Sequence, residues 1–217
     1  MIALAVDTAA EIGSIALAEF SHDGAVTILE EARLEAPGGF AQMLFGELEA
    51  LLARQKVRLA DIELYAAGNG PGSFTGVRIG LAAIKGLAEV AGKPAVGVSN
   101  LLALAQFGTA SQRAPVLDAR RGEVFAALYG EDDVEVIPPT VLKFSAFTTL
   151  IGDRDAEIIT TGFDPGHPFT AAPPELAGVI ARLAIARFLR GESCDPVTIE
   201  ADYVRRSDAE IFHAGTA

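Results

Sequence analysis

The stretch GNGPGSFTGVRIGLAAIKGLAEVAG, residues 68–92, holds seven glycines, first in a loop around Pro71 and Ser73 and then inside an apolar helix. Each glycine in a helix interior lowers the stability of the helix by about 1 kcal/mol relative to alanine. Glycines at these positions therefore call for a structural or functional explanation. In the loop, bare N–H groups before a helix could hold an anion. The alternative is a tight turn in which Ser73 or Thr75 caps the helix. The loop is no Walker loop, because Lys85 lies too far along and no GK[ST] follows the glycines.

The helix predicted for residues 74–91 is apolar on most of its faces. After Thr75, its strongly polar side chains are Arg78, Lys85 and Glu89, which share one narrow stripe. Such a helix must be covered on more than one side. Its glycines favour close packing, either within the chain or, as we prefer, against another subunit. The predicted contact residues, some from a second helix at 40–54, are Phe40, Met43, Leu44, Phe74, Gly76, Val77, Gly80, Ala83, Ile84 and Leu87.

Composition narrows the classes of function. A net charge of −12 and a pI near 4.6 argue against a chain that grips a phosphate backbone alone, since such binding relies on Lys and Arg. No apolar run approaches the roughly 20 residues that span a bilayer, and the N-terminus lacks a signal-peptide pattern. A single cysteine, Cys194, excludes an internal disulfide. We expect a cytoplasmic protein without a membrane partner.

The order of predicted elements suggests an internal duplication. The first half predicts strands at 2–6, 14–20 and 25–35, a helix at 40–54, a strand at 62–70, the helix at 74–91 and a strand at 95–99. The strand end and turn at Asp7 are echoed at Asp118, 111 residues later. After Asp118 we predict strands at 124–130, 134–137 and 157–163, and helices at 145–151 and 174–189. This repeat predicts two lobes, residues 1–108 and 109–217.

Few residues offer chemistry. His22, His167 and His213 are scattered without helical pairing, so no metal site is predicted. Ser73 lacks the GxSxG elbow, and no other residue stands in a pattern typical of a nucleophile. No catalytic residue is predicted.

Several segments together resemble the TsaB (YeaZ) family of bacterial tRNA threonylcarbamoyladenosine biosynthesis subunits. GNGPGSFTGVRIGLAAIKGLA (68–88) is similar to the family's most specific segment, roughly GPGSFTGxRIGxxxAKGLA. Supporting segments are AVDTA (5–9), KPAVGVSNLLALA (93–105), LDARRGEVFAALY (117–129) and ADYVRR (201–206). The resemblance extends over nearly the whole chain.

The resemblance implies an α/β fold of the actin, Hsp70 and sugar-kinase superfamily, ribonuclease H-like, with two duplicated lobes and mixed sheets. It also implies a non-catalytic subunit that binds and activates TsaD, which transfers a threonylcarbamoyl group to the adenosine next to the anticodon. TsaD would pair with helices of the first lobe, an ATPase, TsaE, would join, and tRNA would bind only through the complex. TsaD's metal-binding histidines would fall where this chain has Phe40 and Leu44. Alone, the chain would form a homodimer, because its exposed apolar helices tend to pair.

In enzymes of that superfamily, strand-end aspartates of both lobes flank the phosphates and metal of a nucleotide. Asp7, Thr8, Asp118 and Arg120 are the candidates here for binding ATP or ADP between the lobes, although no cofactor is expected to be required. Glu11 in the first turn would repel phosphate. An ATP-dependent small-molecule kinase is the alternative function, and Glu11 disfavours it. A metallopeptidase is disfavoured by the missing histidine pair.

Overall fold

The computed structural model contains two five-stranded sheets of the same topology. It describes residues 1–35, 38–192 and 195–204. The first half contains β1 (Ile2–Asp7), β2 (Ile12–Phe20), β3 (Val26–Glu35), α1 (Phe40–Gln55), β4 (Ile62–Gly68), α2 (Phe74–Ala91), β5 (Ala95–Val98) and α3 (Asn100–Ala105). The second half contains β6 (Arg113–Asp118), β7 (Val124–Tyr129), β8 (Glu135–Leu142), α4 (Phe144–Ile151), β9 (Glu157–Thr160), β10 (Thr170–Ala171) and α5 (Ala177–Leu189).

The two sheets confirm the duplication that the sequence predicts. The strand orders are β3-β2-β1-β4-β5 and β8-β7-β6-β9-β10. In each sheet the first three strands pair antiparallel, and the last two join in parallel. The lobes differ between their fourth and fifth strands, where the first lobe has α2 and the second has the loop 161–169. This α/β architecture is the predicted actin-like fold.

The helices form layers around the two sheets. On one face of the first sheet, α1 and α2 bury Leu44, Leu48 and Ile84 against Val6 and Leu17. On the opposite face, α5 buries a second apolar cluster. In the second sheet, α4 covers one face and α3 covers the other. The helix that ends each half therefore packs against the sheet of the other half, and α3 and α5 meet between the lobes.

Local contacts explain both ends of α2, but not the start of α5. The hydroxyl of Ser73 accepts the N–H of Gly76 at the start of α2, and Gly92 ends that helix in a left-handed conformation with φ 61°. The last helix was predicted from Pro174 but begins at Ala177. Its first N–H groups are bonded by Ser14 of β2, a tertiary contact that a local pattern does not contain. The short helix α3 was not predicted.

Other boundaries differ by a few residues. The strand predicted at 62–70 ends at Gly68, and the one predicted at 157–163 ends at Thr160. Conversely, β8 continues beyond 137 to Leu142, through Pro138 and Pro139. Proline is tolerated there because β8 is an edge strand.

Candidate functional site

A cleft of about 1550 Å³ lies between the two lobes. Its walls are the β1–β2 turn, the matching β6–β7 turn, the start of α2, and residues 202–204. The structure therefore brings Asp7 and Asp118 to one cleft, as the repeated strand ends imply. Whether a nucleotide binds there stays a prediction, and the contacts of the four candidate residues constrain how one could.

Asp7 is a buried carboxylate at the floor of the cleft. Its Oδ1 accepts hydrogen bonds from the N–H of Ala9 at 3.0 Å and from Asn100 Nδ2 at 2.9 Å. The Asn100 side-chain oxygen in turn accepts the N–H of Gly70 at 2.9 Å. Burial raises the pKa of Asp7 in spite of these hydrogen bonds, which by themselves lower it. Asn100, which the sequence analysis did not single out, thus links β1 to the glycine loop.

Thr8 and Arg120 already have partners inside the chain. The buried Thr8 hydroxyl donates to the carbonyl of Gly76 at 2.7 Å. Arg120 has a left-handed backbone with φ 65°, and its N–H donates to Asp118 Oδ1 at 2.7 Å. Its guanidinium forms an ion pair with Glu11 from the opposite turn. A phosphate that approached Arg120 would have to displace the Glu11 carboxylate.

Three glycines let α2 lie directly against the β1–β2 turn. A Cβ on Gly76 would stand 2.0 Å from the Thr8 carbonyl oxygen, and one on Gly80 would stand 2.6 Å from Thr8 Oγ1. A Cβ on Gly72 would meet the Ala9 carbonyl oxygen at 2.4 Å. These glycines are therefore required by packing within the chain. Packing within the chain, the alternative that the sequence left open, thus accounts for Gly76 and Gly80, and a subunit contact at these positions stays a prediction.

The other predicted contact residues, which stay a prediction, differ in burial. A side chain buried in the first-lobe core offers a partner little surface, because strands and helices of the same chain cover most of it. Phe74 is 45% exposed, and Met43 and Leu87 are partly exposed. The buried members of the predicted set are Phe40, Leu44, Gly76, Val77, Gly80, Ala83 and Ile84.

A different set of residues forms the outer surface of α1 and α2, which we call the α1–α2 face. It consists of Phe45, Gly46, Ala82, Gly86 and Val90, all exposed. Phe45 is 55% exposed and Val90 is 90% exposed. Among the described residues, apart from the flanking residues and the backbone of the same helix, no atom lies within 4 Å of a Cβ placed on Gly46 or Gly86. These two helix glycines have no packing reason within the described chain.

Residues 195–204, which we call the C-terminal strap, cross the outside of α2. Lys85 Nζ donates to the carbonyls of Val197 at 3.1 Å and Ile199 at 2.9 Å. The N–H of Asp202 donates to the carbonyl of Asn69 in the glycine loop at 2.7 Å. The polar stripe of α2 is thus in part a seat for the strap. The stripe can be recognised in the sequence, but the strap that packs on it lies more than a hundred residues further along the chain.

The described residues contain no group of three His, Cys, Asp or Glu side chains that could hold a metal ion. His213, Cys194 and the chain after Val204 lie outside the described residues. Within residues 1–35, 38–192 and 195–204, no helix has the length and hydropathy needed to cross a membrane.

Comparison with known proteins gives consistent matches. The family described as TsaD, tRNA N6-adenosine threonylcarbamoyltransferase, matches residues 36–162. The chain is 35% identical over 226 residues to the tRNA threonylcarbamoyladenosine biosynthesis protein TsaB of Haemophilus influenzae, covering 93% of this chain and 92% of that one. YeaZ from Pseudomonas aeruginosa superposes with a TM-score of 0.74 at 28% identity, covering 93% of this chain and 99% of that chain.

The match to TsaB of Escherichia coli is stronger in identity but shorter. It reaches 40% over 134 residues, which is 60% of this chain and 55% of the relative. The chain therefore spans about half the length of that relative.

Proposed function

The chain belongs to the TsaB (YeaZ) family, and from this we propose that it acts in the formation of N6-threonylcarbamoyladenosine in tRNA as a non-catalytic subunit that binds and activates TsaD. Support for the pathway comes from relatives that carry the name tRNA threonylcarbamoyladenosine biosynthesis protein. Support for the role comes from residues of α1 and α2.

The helix α1 favours a non-catalytic role. At the two positions where the resemblance places TsaD's metal-binding histidines, this chain has Phe40 and Leu44. Both are buried in the first-lobe core, 7% and 2% exposed. Apolar side chains cannot bind a metal ion, so we assign the reaction to the partner.

The α1–α2 face is the observation that carries the proposal. A residue such as Val90, 90% exposed at the outer surface of a helix, gains nothing from the chain's own core. Gly46 and Gly86 each cost helix stability without a packing return inside the described chain. Helices of a partner could approach closely at these glycines and bury Phe45 and Val90. Both α1 and α2 cover the same side of the first sheet, so one partner could contact both.

The remaining partners follow from the same assignment. We expect the chain to form a homodimer through the α1–α2 face when TsaD is absent, since an exposed apolar surface tends to pair. The TsaE ATPase would join the TsaD complex. A chain of net charge −12 is unsuited to grip tRNA alone, so tRNA would bind through the complex in the cytoplasm.

No observation favours the alternative, an ATP-dependent small-molecule kinase. The Thr8 hydroxyl donates a hydrogen bond to the carbonyl of Gly76 in α2. The guanidinium of Arg120, which would be expected to bind a phosphate, forms an ion pair with Glu11. A nucleotide would have to break the Glu11–Arg120 pair before binding between the turns.

The proposal is tested by light scattering coupled to size-exclusion chromatography, with the chain alone and with TsaD from the same organism. Gly86→Arg adds a bulky charge to the α1–α2 face, where open space lets the variant fold. Ala146→Arg, at an exposed position of α4 in the other lobe, is the matched control. We expect the wild type and Ala146→Arg to associate with TsaD, and Gly86→Arg to remain folded but lose the complex.

Transfer activity is measured on the same samples. TsaD should modify tRNA with the wild type and with Ala146→Arg, and should lose most of that activity with Gly86→Arg. Undiminished binding of Gly86→Arg would exclude the α1–α2 face as the docking surface. Transfer by this chain without TsaD would overturn the non-catalytic role.

A further inference from the structure

An exposed cluster outside the α1–α2 face carries a second inference. The Arg78 cluster consists of Phe74 and Arg78 on α2 and Tyr203 on the C-terminal strap. Arg78 Cζ lies 3.6 Å from the centre of the Phe74 ring, and Arg78 Nε donates to the Tyr203 hydroxyl at 2.7 Å. The two rings are 5.5 Å apart, and Phe74 and Tyr203 are 45% and 49% exposed. Two large rings and a cation are thus held together at the surface.

The cluster is rigidly supported. Phe74 and Arg78 stand one helical turn apart, so the guanidinium lies over the ring of its neighbour on the same face. Tyr203 is held by the strap, which Lys85 and Asn69 bind through its backbone. Binding hot spots are enriched in Tyr and Arg, and side chains already fixed in place lose little entropy on binding. The arrangement is therefore suited to recognition.

The guanidinium indicates the charge of the ligand. Arg78 has five N–H donors, and Tyr203 takes one of them. Within residues 1–35, 38–192 and 195–204, Arg78 forms no ion pair, although the chain carries 29 acidic residues. A planar guanidinium with free N–H edges matches a carboxylate or a phosphate.

The neighbouring cleft favours the carboxylate. Phe74 and Tyr203 also line the cleft, whose charged lining comprises five carboxylates and two arginines. A nucleic-acid strand would bring many phosphates towards those carboxylates, whereas a peptide can present a single carboxylate to Arg78. The carboxylates are Asp7, Glu11, Glu35, Asp118 and Asp202.

We propose that the Arg78 cluster is a docking site for a protein segment that presents one carboxylate beside an apolar side chain. The carboxylate accepts N–H groups of Arg78, and the apolar side chain covers the exposed rings of Phe74 and Tyr203. The site does not depend on the α1–α2 face, so either assignment can fail alone.

The test is an NMR titration of the full isotope-labelled chain with acetyl-Leu-Glu-Leu-amide, with its Leu-Gln-Leu counterpart, and with hexauridylate as an RNA probe. Probes are raised to about 10 mM, which detects a millimolar Kd. We expect saturable shifts at Phe74, Arg78 and Tyr203 with the Glu peptide, and about tenfold weaker binding of the Gln peptide, because charge-assisted hydrogen bonds are lost.

Variants separate the cluster from general surface effects. Arg78→Met keeps an unbranched stem over Phe74 and should weaken Glu-peptide binding about tenfold. Arg58→Met removes another highly exposed arginine and should leave binding unchanged. Tyr203→Phe keeps the ring and should weaken binding only a few-fold. The proposal is overturned if Glu and Gln peptides bind alike, if no probe shifts the cluster, if Arg78→Met binds like the wild type, or if hexauridylate binds more strongly.

Discussion

Glycines with the same helical setting have opposite roles in α2. Gly76 and Gly80 face the β1–β2 turn, where a methyl group would collide with Thr8. Gly86 faces outward and has open space around it. A charged substitution at Gly80 would therefore test folding, and one at Gly86 would test association.

This difference predicts opposite effects of alanine. Gly76→Ala should lower the free energy of unfolding by about 3 kcal/mol, because the contact is with backbone that cannot move aside. Gly86→Ala should raise it by about 0.5–1 kcal/mol, because alanine is the better helix former and meets nothing. Urea denaturation of both variants measures the pair. Equal effects of the two substitutions would contradict the packing assigned to Gly76.

Asp7 predicts a specific pH dependence. Burial raises its pKa above the ordinary value of 3.8, so the folded state binds this proton more tightly than the unfolded state. The contribution of Asp7 to stability is therefore full below pH 3.8 and declines as the pH rises through the raised pKa. Asp7→Asn keeps an acceptor for Ala9 but does not titrate. Its stability relative to the wild type should increase from acidic to neutral pH and then level off.

Chemical denaturation at several pH values measures this difference, which cancels titrations common to both proteins. Asp61 serves as a control with the opposite pH dependence, because Arg58 lowers its pKa to about 2. In Asp61→Asn the loss of stability relative to the wild type should be present at neutral pH and vanish in strong acid. A constant difference between Asp7→Asn and the wild type would contradict the assigned burial effect.

At the scale of elements, α5 illustrates how a helix is anchored by another part of the chain. It has no capping side chain of its own at its start. The buried Ser14 hydroxyl accepts the N–H groups of Leu176 at 3.1 Å and Ala177 at 2.9 Å, and Glu31 accepts that of Gly178. Two residues of the first sheet therefore determine where the last helix begins.

Ser14→Ala should accordingly lower the free energy of unfolding by about 1–2 kcal/mol, since it leaves buried N–H groups without an acceptor. Hydrogen exchange should accelerate at 176–178 more than elsewhere. Ser145→Ala, at an exposed position in α4, is the control and should change little. Unchanged exchange at the start of α5 in Ser14→Ala would show that the hydroxyl is not its cap.

At the scale of the whole molecule, the two lobes are connected both by buried contacts and by an exposed ion pair. The helices α3 and α5 link them through buried apolar contacts, while Glu11 and Arg120 connect the two turns at the cleft. The Glu11 and Arg120 side chains are 80% and 66% exposed, so solvent screens this ion pair. It can influence the opening of the cleft without contributing much to the stability of the fold.

Glu11→Gln should therefore leave the thermal midpoint nearly unchanged and widen the distribution of distances between spin labels on α1 and α4. High salt should widen the wild-type distribution in the same way, because it screens the pair. Glu19→Gln, at an exposed position on β2, should have no effect. A wild-type distribution that is narrow at all salt concentrations and identical to that of Glu11→Gln would mean that the pair does not hold the cleft.

The repeated strand order, the bounds 74–91 of α2 and the family can all be predicted from the amino-acid sequence. These features are local: side-chain periodicity, a Ser73 cap and a terminal Gly92 act over a few residues, so they can be identified along the chain. The meeting of Asp7 and Asp118 also followed, because duplicated strand ends reach equivalent places in duplicated lobes.

How much of α2 is buried depends on tertiary packing. The polar stripe of Arg78, Lys85 and Glu89 marks one exposed edge of α2 but is too narrow to show how far the buried side extends. We therefore predicted that Gly76 and Ile84 contact a partner, whereas both are buried within the chain. The crossing of α5 to the first sheet, the pairing of Glu11 with Arg120, and the seat of the strap on Lys85 likewise join residues far apart in sequence. Such contacts depend on how the lobes and helices stack, which no local pattern encodes.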